Sequence, residues 1–360
     1  MCRYLLIRYL EYGMMEEHKV MYKAAFTERP DALGILDQMT SFIIEEEENI
    51  RASYAVSTEW IVKDEFVNLI LDDSIFIAEF IIRLYESRGR IGDVIVDDNF
   101  HITTILDDLT LLENQLPYFY LEKLLNPIMG KFFEYQTLDK VIHQLFSISG
   151  AINVDTTFSH FTDMFYCMYK ESLGPTLQLN NNSNSSIADM KSAYEYLSRA
   201  GVKFMVEGNN SRYSLKVSYN EGCLRIPRFP ADESSIIILR NVIAYEQCHH
   251  LENALITNYI HFMNYLITSD EDVKILTIAG VLANGVGRSS MVLNTVHNLT
   301  IGMFVPANTQ YFDVVHNLNI HYRSRTRKRM WVRAVSLSAV SFFLLTLVGT
   351  VASVIQAIRS

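Results

Sequence analysis

The feature that most constrains the fold is a run of 25 uncharged residues, Ala334 to Ile358, close to the C-terminus. As an α-helix this run would be about 37 Å long at about 1.5 Å per residue, enough to cross a hydrocarbon core of about 30 Å. A helix that is apolar on all sides is either buried in a protein core or placed in a membrane, and core helices seldom run this far without a charge. The run therefore predicts one C-terminal transmembrane helix.

Charged and aromatic residues flank this helix asymmetrically. Six basic residues lie in the segment 323–333, whereas Arg359 alone follows the run. An excess of Lys and Arg marks the cytosolic side of a span. The sequence predicts a single-pass, tail-anchored protein of the plasma membrane or an endomembrane, with a cytosolic body and the bilayer as a partner. The predicted anchor residues are Trp331, Ala334, Phe342, Phe343, Leu344, Leu345, Leu347, Val348, Ile355 and Ile358.

The charge of the remaining chain excludes some classes of function. The whole chain has a net charge of −10, and the segment 323–360 contributes +7, so the segment 1–322 carries −17. An acidic body argues against a nucleic-acid partner, because phosphate binding needs clustered Lys and Arg. The four cysteines are scattered without paired spacing, so neither a disulfide framework nor a zinc site is expected. We expect no metal and no cofactor.

Hydrophobic periodicity predicts a mainly α fold: a multi-helix globular body, a small β-sheet near residues 203–228 and the transmembrane helix. The segment 62–89 is apolar on nearly all sides and predicts a central, buried helix. Ser269 is expected to cap a helix over 269–283. The predicted organisation is a helical part over 14–180, an Asn/Ser-rich linker over 181–190, strands then helices over 191–322, a basic juxtamembrane segment over 323–333 and the span over 334–358.

The stretch DDLTLLENQLPYFYLEKLL, residues 107–125, lies in a predicted helix over 102–125 that Pro117 interrupts. Glu113, Asn114 and Gln115 can satisfy backbone groups that the break leaves without partners. A structural role is therefore expected, with a kink that docks a partner as the alternative. The predicted buried stripe consists of Leu109, Leu112, Leu116, Phe119, Leu121 and Leu124.

A divalent-metal-dependent enzyme is the alternative function. Its candidate ligands are Asp72, Asp73, Asp107, Asp108 and Glu113, because carboxylate-rich helix pairs can hold magnesium. Adjacent residues diverge by about 100° around a helix, however, and neither Asp73 nor Asp108 has an acidic residue three or four positions later. The competing interpretation is that one aspartate of each pair contacts a neighbouring helix end while the other faces water.

Six segments together resemble the plant domain-of-unknown-function 247 family. They read MEEHKVMYKAAF (15–26), DEFVNLILDDSIFIAEF (64–80), DDLTLLENQLPYFYLEKL (107–124), YEYLSRAGVKF (194–204), RNVIAYEQC (240–248) and ITSDEDVKILTIAGVLANGVG (267–287). The motif positions are Glu17, His18, Lys19, Asp72, Asp108, Leu112, Glu113, Asn114, Gln115, Pro117, Gly201, Val202, Phe204, Asn241, Glu246 and Gln247.

The resemblance implies a plant membrane protein without an established enzyme activity. Some grass members of that family are tied to self-incompatibility loci, where they are regarded as pollen-side determinants. It therefore implies a recognition, interaction or signalling component with an unidentified protein partner, not a catalyst. Family members carry a Ser-Ile-Gly-Pro-type segment before the EEHK motif, so we expect residues 1–13 to be a diverged or truncated version of it.

Overall fold

The computed structural model describes residues 13–30, 32–86, 93–133, 137–146, 157–174, 189–208, 213–285, 287–305 and 309–359. The predicted N-terminal segment lies outside these ranges except for Gly13, and so do residues 181–188 of the predicted linker. The first half of the chain is helical, as predicted. Its helices are α1 (Gly13–Thr27), α2 (Ala32–Ala52), α3 (Lys63–Glu86), α4 (Asn99–Leu109), α5 (Tyr118–Phe132), α6 (Leu138–Leu145) and α7 (Phe161–Glu171).

Helix α3 is the centre of this half. From Phe66 to Ile82 nearly all of its residues are buried, on every side of the helix. Helices α1, α2 and α5 pack around it, so the prediction of a central helix is confirmed. Fully buried large aromatics, among them Phe66 and Tyr120, fill the spaces between these helices. Burial of each such side chain stabilises the fold by roughly 1.5–3 kcal/mol.

The second half combines short strands with helices. Its first element is the single turn α8 (Ala193–Glu195), which continues as a π-helical turn over Tyr196–Ala200. The strands are β1 (Lys203–Val206), β2 (Ser218–Asn220), β3 (Cys223–Ile226), β4 (Phe229–Ala231) and β5 (Leu282–Asn284). The helices are α9 (Glu233–His249), the 3₁₀ turn Leu251–Asn253, α10 (Leu255–Leu266), α11 (Asp270–Ile278), α12 (Ser289–Thr300) and α13 (Phe312–Arg359).

The predicted small sheet is confirmed as three strands in the order β1-β3-β2. Strand β3 pairs in parallel with β1 and antiparallel with β2. Alternation along the strands gives the sheet two faces. Phe204, Leu224 and Ile226 point into the core, whereas Lys203 and Met205 on the opposite face are exposed.

A second sheet corrects the prediction of a helix over 269–283. Ser269 does cap the helix, because its side chain accepts a hydrogen bond from the Asp272 amide, but α11 ends at Ile278. Gly280 takes a φ of +75°, a left-handed conformation that glycine adopts readily and that ends helices. Strand β5 follows and pairs in parallel with β4, with Phe229 opposite Leu282. This pairing joins segments that lie far apart in the sequence, which local periodicity does not reveal.

Helix α13 is 48 residues long, about 72 Å at about 1.5 Å per residue. Its first turns pack on the body, where Val315 and Leu318 are buried and Asn319 accepts a hydrogen bond from the Tyr196 hydroxyl at 2.9 Å. Beyond the body, Trp331, Ala334 and the large apolar residues between Phe342 and Val348 are exposed. The stretch Phe312–Val351 is the one helix in the described part of the chain that is long and apolar enough to cross a membrane. The side chains of Ile355 and Ile358 lie outside the description.

Candidate functional site

The EEHK segment on α1 lies against the DD segment on α3. Lys19 Nζ lies 2.7 Å from Asp73 Oδ1, and Lys23 pairs with Asp72. Asp73 is the largely buried, paired aspartate of the competing interpretation, and Asp72 does face water, because 40% of its side chain is exposed although it also contacts Lys23. The lysines are spaced by four residues and so lie on one face of α1. Asp72 and Asp73, the first pair of candidate metal ligands, therefore join α1 to α3 through these two salt bridges. Glu17 is exposed and His18 is half-buried.

The same interface contains a buried carboxylate that the sequence did not reveal. Glu79 is 1% exposed, and its two oxygens lie 2.6 Å from Arg29 Nε and 2.8 Å from Arg83 Nε. Arg29 also contacts Glu86 at 2.9 Å, and Arg83 pairs with Asp93. Burial lowers the pKa of both guanidinium groups, but the hydrogen bonds with these carboxylates outweigh it and raise the pKa values overall. The cluster is therefore a network of salt bridges in which two arginines share one buried carboxylate.

The LLENQLP segment is a turn between α4 and α5 that its own side chains hold. Gln115 Nε2 donates to the carbonyl oxygens of Leu109 at 2.9 Å and Leu111 at 2.5 Å, while its Oε1 accepts the Thr162 amide at 3.3 Å. Asn114 donates to the Asp108 carbonyl oxygen at 3.1 Å. These carbonyl groups lie at the end of α4 and in the turn after it, where the regular hydrogen bonds of a helix stop. The expected structural role of Asn114 and Gln115 is confirmed, and Glu113 is half-buried.

The RNVIAYEQC segment on α9 connects that turn to the second half. Asn241 Oδ1 accepts the Leu112 amide at 2.9 Å. The fully buried Glu246 accepts the amides of Ile256 and Thr257, at 2.9 and 2.8 Å, at the N-terminus of α10. Burial raises the pKa of Glu246, although these hydrogen bonds oppose the shift. Gln247 holds the loop after α12 by exchanging two hydrogen bonds with the Phe304 backbone, at 3.0 and 3.1 Å.

Gly201 lets the chain leave the π-helical turn and enter β1. It has a φ of +69°, and its amide donates to the Leu197 carbonyl at 3.0 Å. The next amide, that of Val202, donates to the Tyr196 carbonyl at 3.1 Å. This geometry needs a left-handed residue at the end of the helix. Val202 and Phe204 then enter the core.

The second pair of aspartates lies at the end of α4, beside the start of α9. Ser234 Oγ donates to Asp107 Oδ2 at 2.9 Å. Burial raises the pKa of Asp107, and the neighbouring carboxylates of Asp108, Asp232 and Glu233 contribute in the same direction. Among the residues whose placement is described, no group of three or more His, Cys, Asp or Glu side chains is arranged to hold a metal ion. The geometry therefore adds no support to the metal hypothesis.

A cleft of about 270 Å³, which we call the motif cleft, opens beside the LLENQLP turn. Its lining residues are Ser53, Tyr54, Gln115, Leu116, Pro117, Phe119, Ser159 and His160. Phe119 was predicted to be buried, but its side chain is 37% exposed. A new helix begins after Pro117, so the register of the preceding helix does not continue through Phe119. The motif cleft therefore has an aromatic and proline-lined wall.

His160 lines the motif cleft and caps α7. Its Nδ1 accepts the Asp163 amide at 3.2 Å, which requires an unprotonated Nδ1. Burial lowers the pKa of His160 to about 4, which Asp163 opposes and His249 reinforces. The ring also meets Tyr245 edge-on at 5.1 Å between centroids. The cap is therefore lost when this histidine takes up a proton.

The His160 cap predicts that the protein loses stability at acidic pH. The pKa is about 6.5 in the unfolded chain and about 4 in the folded one, so stability is full above pH 6.5 and falls as the pH drops toward 4. His160→Asn preserves an N-cap acceptor and removes this titration. Between pH 7 and 4.5 we expect the variant to lose about 2 kcal/mol less than the wild type. Thermal unfolding measured across this pH range checks the prediction. His101→Asn is the control, because 45% of the His101 side chain is exposed. If the stability of all three proteins fell equally with pH, the assignment would be contradicted.

Comparison with known proteins places the chain in a family. The sequence profile of the plant protein family of unknown function DUF247 matches residues 8–357. UPF0481 protein At3g47200 of Arabidopsis thaliana is 22% identical over 342 residues, covering 88% of this chain and 71% of that protein. A second Arabidopsis thaliana UPF0481 protein, At3g02645, is 31% identical over 88 residues, covering 24% of this chain and 17% of that protein. No solved structure matches. The chain belongs to the plant family of unknown function DUF247.

Proposed function

We propose that the protein is a membrane-anchored recognition or signalling component that binds another protein and catalyses no reaction. Helix α13 carries this proposal. Its first turns are packed on the body, and its apolar stretch continues as one helix away from the body with exposed side chains. Such a helix would attach the body to a bilayer, because about 25 uncharged residues suit the hydrocarbon core. The six basic residues before the apolar run favour a cytosolic body.

The contacts of the motif residues support a role without catalysis. Lys19 and Asp73 pair with each other, Gln115 holds a turn, and Glu246 and Gln247 hold helix and loop ends. These polar groups have partners within the fold, so they stabilise its arrangement. A reactive centre instead needs polar groups that converge on open space.

The motif cleft is the region where we propose that a protein partner docks. Tyr54, Pro117 and Phe119 give it an apolar wall that suits an apolar side chain of a peptide segment. Aromatic side chains offer large contact areas at low entropic cost and are enriched at interfaces. A docking role here agrees with the recognition function that the family resemblance implies. It also adopts the alternative role that the sequence suggested for this turn, a kink that docks a partner.

A charged residue introduced into the wall of the motif cleft tests the docking assignment. In plant membranes solubilised with mild detergent, we expect the full-length wild type to sediment as a complex larger than the protein alone. Phe119→Glu should release it, because a carboxylate in the apolar contact has no partner. Phe100→Glu is the matched control, since Phe100 is 72% exposed on α4 outside the cleft. A wild type that sediments alone, or a complex that survives Phe119→Glu, would refute the docking assignment.

The metal-dependent enzyme has no structural observation in its favour, because Asp72 and Asp73 already pair with lysines. It makes a separate prediction. Millimolar magnesium or manganese should raise the melting temperature of the full-length protein, since a ligand that binds only the folded state stabilises it. Asp107→Asn with Asp108→Asn should abolish that rise.

A further inference from the structure

A second cleft, the juxtamembrane cleft, lies where α13 passes over the three-stranded sheet. It measures about 390 Å³, and the residues that matter here are Lys203, Met205, Cys223, Arg225, His321 and Arg325. Two elements form its walls: the solvent-facing side of β1 and β3, and one face of α13. It is separate from the motif cleft, with which it shares no lining residue.

The strand register explains why basic groups line the sheet wall. Lys203 is opposite Cys223 and Met205 is opposite Arg225, so these four residues share the face turned away from the core. On the other wall, His321 and Arg325 are four residues apart and so lie on one face of α13. His321 Nε2 is 3.2 Å from the Ala200 carbonyl oxygen, which places this face of the helix close to the start of β1. Two chain segments that are distant in sequence thus direct cations into one space.

The cations of this cleft differ from the largely buried cations of the helical half. Lys19, Arg29, Arg51 and Arg83 each form a salt bridge with a carboxylate. Lys203, Arg225 and Arg325 form none with any residue in the described ranges. One acidic residue, Glu221, also lines the cleft, in the two-residue turn that joins β2 to β3. Because the segment 1–322 carries a net charge of −17, three cations gathered around a single carboxylate are a local excess of positive charge that indicates a site for an anion.

The position along α13 indicates where that anion comes from. Arg325 precedes the uncharged run by nine residues, about 13 Å of helix. The headgroup layer of one leaflet is roughly 5–8 Å thick, so the cleft opens just above it. Arg329, one turn nearer the membrane, donates to the Arg199 carbonyl at 3.2 Å and so fixes the helix against the body. The cleft is therefore held at a set height, within reach of a headgroup that projects from the layer.

We propose that the juxtamembrane cleft binds the phosphorylated headgroup of an anionic membrane lipid, with Lys203, Arg225 and Arg325 as its phosphate ligands. The proposal rests on the membrane attachment proposed above. Basic clusters directly beside a transmembrane helix attract anionic lipids, and basic pockets at this level bind multiply phosphorylated headgroups. The body would then be oriented on the membrane by two contacts, the helix and the headgroup.

Titration of the full-length protein in phosphatidylcholine nanodiscs tests the site. The probe is a short-chain phosphatidylinositol 4,5-bisphosphate, with free inositol 1,4,5-trisphosphate as a second arm. Lys203→Gln with Arg225→Gln should weaken lipid binding about 30-fold, since each cation near an anionic surface contributes on the order of fivefold. Lys216→Gln with Arg228→Gln is the control, because it removes the same charge from exposed residues outside the cleft. Arg325→Gln should weaken binding about fivefold from the opposite wall.

The outcomes separate this proposal from its rivals and from the proposed function. Equal losses in the cleft and control variants would overturn it, because the binding would then be diffuse charge attraction. Binding of the free trisphosphate as tight as that of the lipid would assign the cleft to a soluble phosphate and overturn the headgroup assignment. Phosphatidylserine at matched charge should not replace the phosphatidylinositol 4,5-bisphosphate as a ligand. Membrane retention of the cleft variants shows that the anchor itself is intact, so failure of this site is distinguishable from failure of membrane attachment.

Discussion

Replacing Leu344 and Leu345 together by arginine should move the full-length protein from the membrane pellet to the soluble fraction after carbonate extraction. An arginine at the centre of a span costs about 3 kcal/mol, so two cost about 6 kcal/mol, roughly 10⁴-fold in partitioning. Both leucines are exposed on α13 and do not contact the body. The variant should therefore keep the fold of the body but no longer remain in the membrane.

The control adds the same two arginines outside the span. Ser324→Arg with Thr326→Arg enlarges the basic segment on the side expected to face the anionic leaflet, so this protein should remain in the pellet. Carbonate-soluble wild type would contradict the anchor. A pellet that retains the Leu344→Arg, Leu345→Arg protein would do the same.

Glu79→Ala should be the most damaging single substitution in the helical body. It leaves Arg29 and Arg83 beside each other in a largely buried place without the carboxylate that both contact. Removing one member of a buried charge network costs about 3–5 kcal/mol, because the remaining charges lack compensation. For a chain of this size that corresponds to a drop of about 5 °C in melting temperature.

Two further variants separate charge from packing. Glu86→Ala removes a partly exposed carboxylate from the same Arg29 and should cost less than about 1 kcal/mol. Glu79→Leu combined with Arg29→Met, Arg83→Met and Asp93→Asn should recover most of the stability, since an apolar cluster replaces the network and no charge is left at position 93 without Arg83. Melting temperatures of the full-length proteins in detergent give the comparison. A Glu79→Ala protein as stable as Glu86→Ala would show that the network does not stabilise the packing of the α1–α2 turn on α3.

The elements that the sequence predicted correctly depend on local chemistry. The long apolar C-terminal helix, the central helix, the Ser269 cap and the role of Gln115 in the turn after α4 each follow from residues within about one turn or one segment. The three short strands also follow from local alternation. In each case the propensity of the segment and its tertiary environment favour the same structure.

The contacts that sequence did not predict join distant segments. Lys19 and Lys23 meet Asp73 and Asp72 although these pairs lie far apart along the chain, and this depends on how α1 and α3 pack. Strand β5 exists because β4 lies beside it, although its residues suit the end of a helix. The juxtamembrane cleft is likewise absent from local patterns, because Lys203 and Arg225 become neighbours of Arg325 only when α13 crosses the sheet. Periodicity identifies the faces of an element but does not identify the partner of each face.

Protease protection on intact membrane vesicles tests the central claim most directly, with one tag at the N-terminus and one after Ser360. We predict that protease added without detergent digests the N-terminal tag and the body, leaves the C-terminal tag protected, and that the exposed sequon at Asn298 carries no glycan. A protected, glycosylated body would contradict the cytosolic orientation and move the recognition role to the lumenal or outer face of the membrane.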